Sequence, residues 1–313
     1  MFKTGYGIKD NMKHSLSSKG LTWTNVQSPT VEELAEFIRA ASLSVNDAEF
    51  VAQKYHRPSV SLGAGYLLLL IQVPVFDRTL RLTKGVSLFF IVKEKQVLSL
   101  HYEPIVVLDK IRRDFETTPD KAQEYMGDQP LAFVLDLVAL LNDSAFNKLE
   151  RLSKHIDIAE DAVFQGNERK MVEEISYLAR DVMDFRKVVR PQTSLFANLP
   201  PSSLVNNEIE VRWQRVHGQL LRMWEMLESL FESTKELSAT NFTLLQHKQN
   251  ELLRLFTVYS IVVIPMLILT DPYFSPNAAG TRTVDKAVFW IVLATLVITL
   301  TYIFWRFKRK NSA

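Results

Sequence analysis

Eight residues near the end of the chain fall on one helical face, and several carry oxygen atoms that could serve a hydrated cation. Starting from Leu253, steps of three and four give Phe256, Ser260, Ile264, Leu267 and Asp271, continued backwards by Gln249 and Gln246. Ser260 offers a hydroxyl, Asp271 a carboxylate, and Asn277 just beyond an amide oxygen. Pro265 has no N–H to return to the Ile261 carbonyl, which can bend the helix or face a path for ions. Hard divalent cations take oxygen ligands and keep several waters, so oxygen donors of this kind are chemically suitable for a hydrated ion. Zinc would prefer nitrogen or sulfur. His247 lies off the face, and His14, His56, His101, His155 and His217 show no ligand spacing. The same positions also serve plain packing: Phe256 and Ile264 as contacts between helices, Asp271 as a cap of the segment or of the loop after it.

Other chemistries find no foothold. There is no phosphate-binding glycine loop, no His-Glu-x-x-His, no Gly-x-Ser-x-Gly and no dinucleotide fingerprint, so nothing supports an enzyme or a bound cofactor. A net charge of +2 gives no reason to expect nucleic acid. With no cysteine the chain has no disulfides and no thiolate metal site, which fits a reducing compartment.

These residues sit in the first of two apolar segments. Leu255–Thr270 and Ala287–Trp305 carry no charge except at their flanks, and a bilayer core needs about 20 apolar residues as helix. The second is long enough alone. The first reaches that length through Leu252 and Leu253, with Arg254 snorkelling toward the headgroups. The alternative is a pair of buried core helices. As membrane spans they place residues 271–286 outside as a loop, because Arg306, Lys308, Arg309 and Lys310 in the 306–313 tail belong on the cytoplasmic side. Both termini are then cytoplasmic, in the cell (inner) membrane.

Upstream, residues 1–20 are expected as a flexible arm with no signal peptide. Residues 21–130 give a mixed α/β pattern: a strand over 21–26, a helix from Thr30 to about Ala41 capped by Ser28-Pro29, and a short helix over 46–54. Strands follow at 66–75, 85–92 and 96–101, with Lys93-Glu94-Lys95 as a hairpin loop, and then a helix over 105–115. Residues 131–197 form an antiparallel helical hairpin broken at Gly166-Asn167 and ending near Arg190-Pro191. From 204 to 270 the pattern is one helix, about 93 Å over Glu208–Leu269. Its heptad seam holds Ile209, Val216, Met223, Leu230, Leu237 and Leu244. The companion seam runs Trp213, Leu220, Leu227 and then polar at Thr234, Asn241 and Lys248. Such a seam asks for a partner, either a copy of itself or the hairpin, and its polar end is expected to open onto water or a polar core.

This order of elements resembles the CorA-type divalent metal-ion (magnesium) transporter family nearly end to end. Arg57-Pro58 with Val60, the strands Val86–His101 followed by Glu103-Pro104, and Arg190-Pro191 all fit. The run Lys248–Pro265, with Asn250, Glu251, Thr257 and Pro265, is similar to the family's passage from stalk to membrane. The family's Gly-Met-Asn signature is missing: here Tyr273 is followed by Phe274, Ser275, Pro276 and Asn277. Proline removes a backbone donor and fixes φ, so a ring built on Asn277 departs from the usual geometry.

The resemblance implies a funnel of five copies, with an α/β domain, a long stalk helix and two C-terminal transmembrane helices. It also implies a pore lined by the first span at Gln249, Leu253, Phe256, Ser260, Ile264, Leu267 and Asp271, with Tyr273, Ser275, Pro276 and Asn277 as the outer selectivity loop and Asp271 and Asn277 as the metal-contacting residues. The transported ion is then Mg2+, or Co2+, Ni2+ or Zn2+, moving down its gradient; the partners are further copies of the chain and membrane lipid. The alternative is a scaffold or regulatory protein of the same build that does not conduct.

Overall fold

The apolar run Tyr66–Ile71 is buried residue after residue, which a strand permits only where both faces of its sheet are covered. The computed structural model describes residues 12–54, 56–127, 129–198 and 206–274, together with 290, 291, 294, 297 and 298. It divides into two units, Met1–Asn241 and Phe242–Ala313. The first unit is built on β1 (Met12–Ser18), β2 (Leu21–Gln27), β3 (Ser59–Gly63), β4 (Tyr66–Asp77), β5 (Leu82–Val92) and β6 (Gln96–His101), in one sheet of order β1-β2-β6-β5-β4-β3. β2 and β6 run parallel and the other neighbours antiparallel.

Helices α1 (Val31–Ala41) and α2 (Val45–Ala52) bring Phe37, Ala41 and Val51 to a core with Leu68, Leu70, Phe89 and Ile91. Helices α3 (Val106–Thr117), α4 (Pro119–Tyr125) and α5 (Pro130–Ala162) supply Phe115, Tyr125 and Phe133 to a second core. There Trp23 meets Phe133 edge-on with ring centroids 5.6 Å apart. Helix α6 (Glu168–Phe196) returns from α5 through a π-turn at Val163–Asn167, where Gly166 takes φ 91, a left-handed conformation that suits glycine. Helix α7 (Asn207–Phe274) is unbroken over 68 residues. The α5–α6 hairpin contains a window apolar enough to cross a membrane, but 61% of that window is buried in the fold, so it is core.

Several sequence expectations are corrected. Residues 12–18, expected as flexible arm, form β1: its side chains are too polar to alternate visibly, but Ser15 and Ser17 hydrogen-bond to Thr24 and Thr22 of β2 at 3.3 and 3.0 Å. The cap of α1 is Thr30 rather than Ser28-Pro29. Thr30 accepts from the Glu33 N–H while the Glu33 carboxylate accepts from the Thr30 N–H, a capping box. Ser28 is left-handed (φ 48) and donates to the Tyr102 carbonyl instead. Pro191 does not end the hairpin: α6 continues to Phe196 because Val188 and Val189 before it and Gln192 and Phe196 after it are buried. Gln192 Nε2 also ties the helix to β4 through the Gln72 carbonyl at 2.9 Å. Packing thereby offsets the ~3 kcal/mol a helical proline costs.

The seam of α7 finds its partner in the hairpin. Ile209, Trp213, Val216, Leu220, Met223, Leu227, Leu230 and Leu237 are all buried. Of its polar end, Thr234 and Asn241 are still buried, at 1% and 4% exposed, and Lys248 beyond them is exposed. The Thr234 hydroxyl donates back to the Phe231 carbonyl, so a polar residue enters the seam without an unmet donor.

A buried polar chain crosses β2 and β6. Trp23 Nε1 donates to Ser99 Oγ (2.9 Å), Ser99 donates to Asn25 Oδ1 (2.7 Å), and the Asn25 amide lies 3.3 Å from His101 Nε2. His101 Nδ1 sits 2.7 Å from the Glu103 carbonyl, so Nδ1 donates and Nε2 accepts, as in a neutral ring. Burial pushes the His101 pKa below 6.5, against the Glu103 carbonyl and Asp109, which pull it up. The unfolded chain therefore binds a proton here that the folded chain resists. Stability is complete above about 6.5 and is lost as pH falls below it. In melts between pH 7 and pH 5, the wild-type midpoint is expected to fall further than that of His101→Gln, which keeps an acceptor for Asn25.

Candidate functional site

In the second unit α7 turns from amphipathic to apolar on every side. Leu252, Leu253, Phe256, Tyr259, Ile261 and Ile264 are 56%, 61%, 67%, 66%, 50% and 56% exposed in the single chain. An apolar helix exposed all round is covered by lipid or by other protein in its working state. Gln249, Leu253, Phe256, Ser260 and Ile264 are all exposed residues of this helix, and their spacing holds them within about 80° of arc at 3.6 residues per turn. One face of α7 thus carries an amide, two bulky apolar groups, a hydroxyl and a third apolar group in succession. Thr257 adds a second hydroxyl near that face, and it donates back to the Leu253 carbonyl at 2.9 Å, so its oxygen stays available as an acceptor.

The backbone of α7 continues through Pro265 to Phe274. Leu267, Asp271 and Tyr273 therefore lie on the helix, and residues 271–274, expected as the start of a loop, are helical. The apolar pattern stops at Leu269, but helical backbone bonding does not depend on apolar side chains and runs further. Ser275, Pro276 and Asn277, the rest of the loop to residue 286, the tail 306–313 and nearly all of the second apolar segment lie outside the described residues. Among the described residues no group of three or more His, Asp or Glu stands close enough to hold a metal ion.

What fixes the first part of α7 is its grip on the hairpin. Trp213 Nε1 donates to the Phe196 carbonyl at 2.9 Å and its ring lies 4.5 Å from that of Phe196. Arg212 bonds Asp136 at 3.0 Å and Gln219 bonds Asp143 at 2.8 Å, both on α5. On α6 the Arg186 guanidinium lies over the rings of Trp224 (5.2 Å) and Phe231 (4.2 Å) and meets Glu228 at 2.5 Å. Trp224, Glu228 and Phe231 are spaced i, i+4, i+7 on α7, a stripe that sequence reading passed over in favour of the apolar seam. A cation stacked on two rings is recognisable only once the facing helix is known.

Residues 18–309 match the family model described as CorA-like Mg2+ transporter protein. The chain is 20% identical over 298 residues to the cobalt/magnesium transport protein CorA of Thermotoga maritima, a match that spans 93% of this chain and 83% of that one. Among solved structures, the complete CorA magnesium transporter of Methanocaldococcus jannaschii superposes with a TM-score of 0.75 at 19% identity, covering 95% of this chain and 92% of the other. The soluble domain of the same protein superposes with a TM-score of 0.62 at 17% identity, over 72% and 89%. The fold shared with these structures includes the soluble α/β domain and the long helix.

Proposed function

Because the chain belongs to the CorA-like Mg2+ transporter protein family, a family of transporters and not of enzymes, we propose that it conducts Mg2+ or a related divalent cation across the membrane. The path is the axis of a homopentamer, and the ion moves down its own electrochemical gradient. The observation that carries the proposal is the all-round apolar exposure of α7 from Leu252 to Ile264. Five such helices cover one another on one side and meet lipid on the other. Gln249, Leu253, Phe256, Ser260, Ile264, Leu267 and Asp271 would then face the axis. Leu253 and Phe256 form an apolar constriction that closes by dewetting, and Ser260 is a hydroxyl ring beyond it. The second span is Ala287–Trp305, and both termini are cytoplasmic. Tyr273, Ser275, Pro276 and Asn277 stand at the outer mouth, where Asn277 and Asp271 meet the incoming hydrated ion.

Five carboxylates at residue 271 concentrate cations at the entrance. Asp271→Ala is expected to lower uptake about tenfold at low external ion and much less at saturating ion, since ~1.4 kcal/mol of local attraction corresponds to that factor. The whole reading is tested by reconstituting the protein in liposomes and imposing gradients of magnesium, cobalt, nickel and zinc. Entry of at least one of them supports conduction. Tight vesicles for all four would make the chain a scaffold of the same build.

A further inference from the structure

The two helices of the hairpin carry exposed stripes of opposite sign. On α5 the exposed residues at helical intervals are Glu150, Lys154, Asp157 and Asp161; on α6 they are Arg180, Met183, Lys187 and Arg190. A helix face that meets only water usually mixes its signs, and like charges four residues apart, such as Asp157 and Asp161, repel one another. Glu150 and Asp157 make no ion pair among the described residues. Arg180 and Lys187 share the one carboxylate of Asp184, at 3.8 and 2.7 Å, which leaves positive charge over.

The stripes flank α7 on opposite sides. α5 meets α7 where Asp143 bonds Gln219 and Arg222 lies over Phe146, and α6 meets it where Arg186 bonds Glu228 and Arg190 lies over Trp224. At 3.6 residues per turn the first pair of α7 positions stands about 180° from the second. The same contacts fix heights. α5 runs parallel to α7, so counting on from Asp143 and Gln219 sets Glu150 level with Met226 and Asp157 level with Ser233. α6 runs against α7, so counting from Arg186 and Glu228 sets Lys187 level with Leu227 and Arg180 level with Thr234. Glu150 and Lys187 thus share a height to within about one helical turn, ~5 Å, and so do Asp157 and Arg180.

Copies gathered in a ring about an axis along α7 stand at equal heights, and each meets its two neighbours through two different patches. Those patches must complement each other level by level. The acidic stripe of α5 and the basic stripe of α6 meet that condition. We infer that α5 of one copy packs against α6 of the next, with Glu150 opposite Lys187 of the neighbouring copy and Asp157 opposite Arg180 of the same neighbour. Met183, 40% exposed among the cations, adds apolar contact. The charges set register and the sense of the ring more than its strength. The inference rests on the homopentamer proposed above and not on whether that assembly conducts.

The test uses the full chain in detergent with Glu150→Cys and Lys187→Cys introduced singly and together, since the chain has no cysteine of its own. Asp157 and Arg180 stay in place to hold the register. A disulfide needs Cα atoms within roughly 7 Å, closer than an ion-paired glutamate and lysine stand, so a bifunctional maleimide with a spacer of about 10 Å makes the link. The double variant is expected to give a ladder of two, three and more joined chains on a denaturing gel. It should do so about a hundredfold faster than either single variant, because sites held in one assembly react at a far higher effective concentration than free chains. A link within one chain adds no rung. Light scattering on the same sample counts the copies. A multimer without the ladder, or an equal ladder from a single cysteine, would overturn the contact and leave the ring standing; a monomer would overturn both.

Discussion

Phe256→Ser raises the leak of divalent cation through the reconstituted protein by about tenfold or more. The Phe256 ring is 67% exposed in the single chain and lies one helical turn from Leu253, itself 61% exposed. Gathered about an axis as proposed, the two would form successive apolar rings across which water films are unstable, and an ion would cross only after the gap wets. Serine replaces the ring with a hydroxyl and widens the gap, and each ~1.4 kcal/mol removed from a barrier is worth a factor of ten in rate. Tracer entry into liposomes measures it directly. Tyr259→Ser is the control: it is equally exposed but off the predicted face, and it should leave the leak unchanged.

Trp213→Ala costs about 3–5 kcal/mol of folding stability, the range for truncating a large buried aromatic. Trp213 is 1% exposed, packs on Phe196 and donates its indole N–H to the Phe196 carbonyl. The substitution leaves a cavity where the end of α6 meets the start of α7, and it leaves that carbonyl without its indole donor. Trp213→Phe keeps much of the packing and loses the hydrogen bond, so it should cost about 1 kcal/mol. Denaturant melts followed by circular dichroism separate the two. A midpoint for the alanine variant no lower than that of the phenylalanine variant would mean the joint does not rest on this ring.

Much of this architecture is legible in the sequence because it is written in periodicity. β4, β5 and β6 announce themselves as apolar runs between turn residues, and the seam Ile209–Leu237 marks α7 at seven-residue intervals. β1 escapes such reading: Met12–Ser18 has no apolar alternation, and the hydroxyl pairs that hold it exist only once Thr22 and Thr24 lie opposite. Pro191 misleads in the other direction, because its usual effect on a helix is outweighed by burial that no local window reveals. The parallel pairing of β2 with β6 is a long-range choice, as is the burial of Thr234 and Asn241.

At the site, the spacing from Gln249 to Ile264 is readable, and the helix that carries these residues runs on past Pro265. The clamp around Arg186 is not readable, since it depends on side chains from separate elements.

The claim that α7 encloses the ion path can be tested cleanly because the chain contains no cysteine. Single cysteines at Ser260 and at Tyr259, reconstituted and exposed to a small water-soluble thiol reagent, should behave differently: Ser260→Cys loses most of its cation flux on modification, and Tyr259→Cys keeps it. Flux unaffected at residue 260 and abolished at residue 259 would place the ion path on another face of the helix and contradict the account.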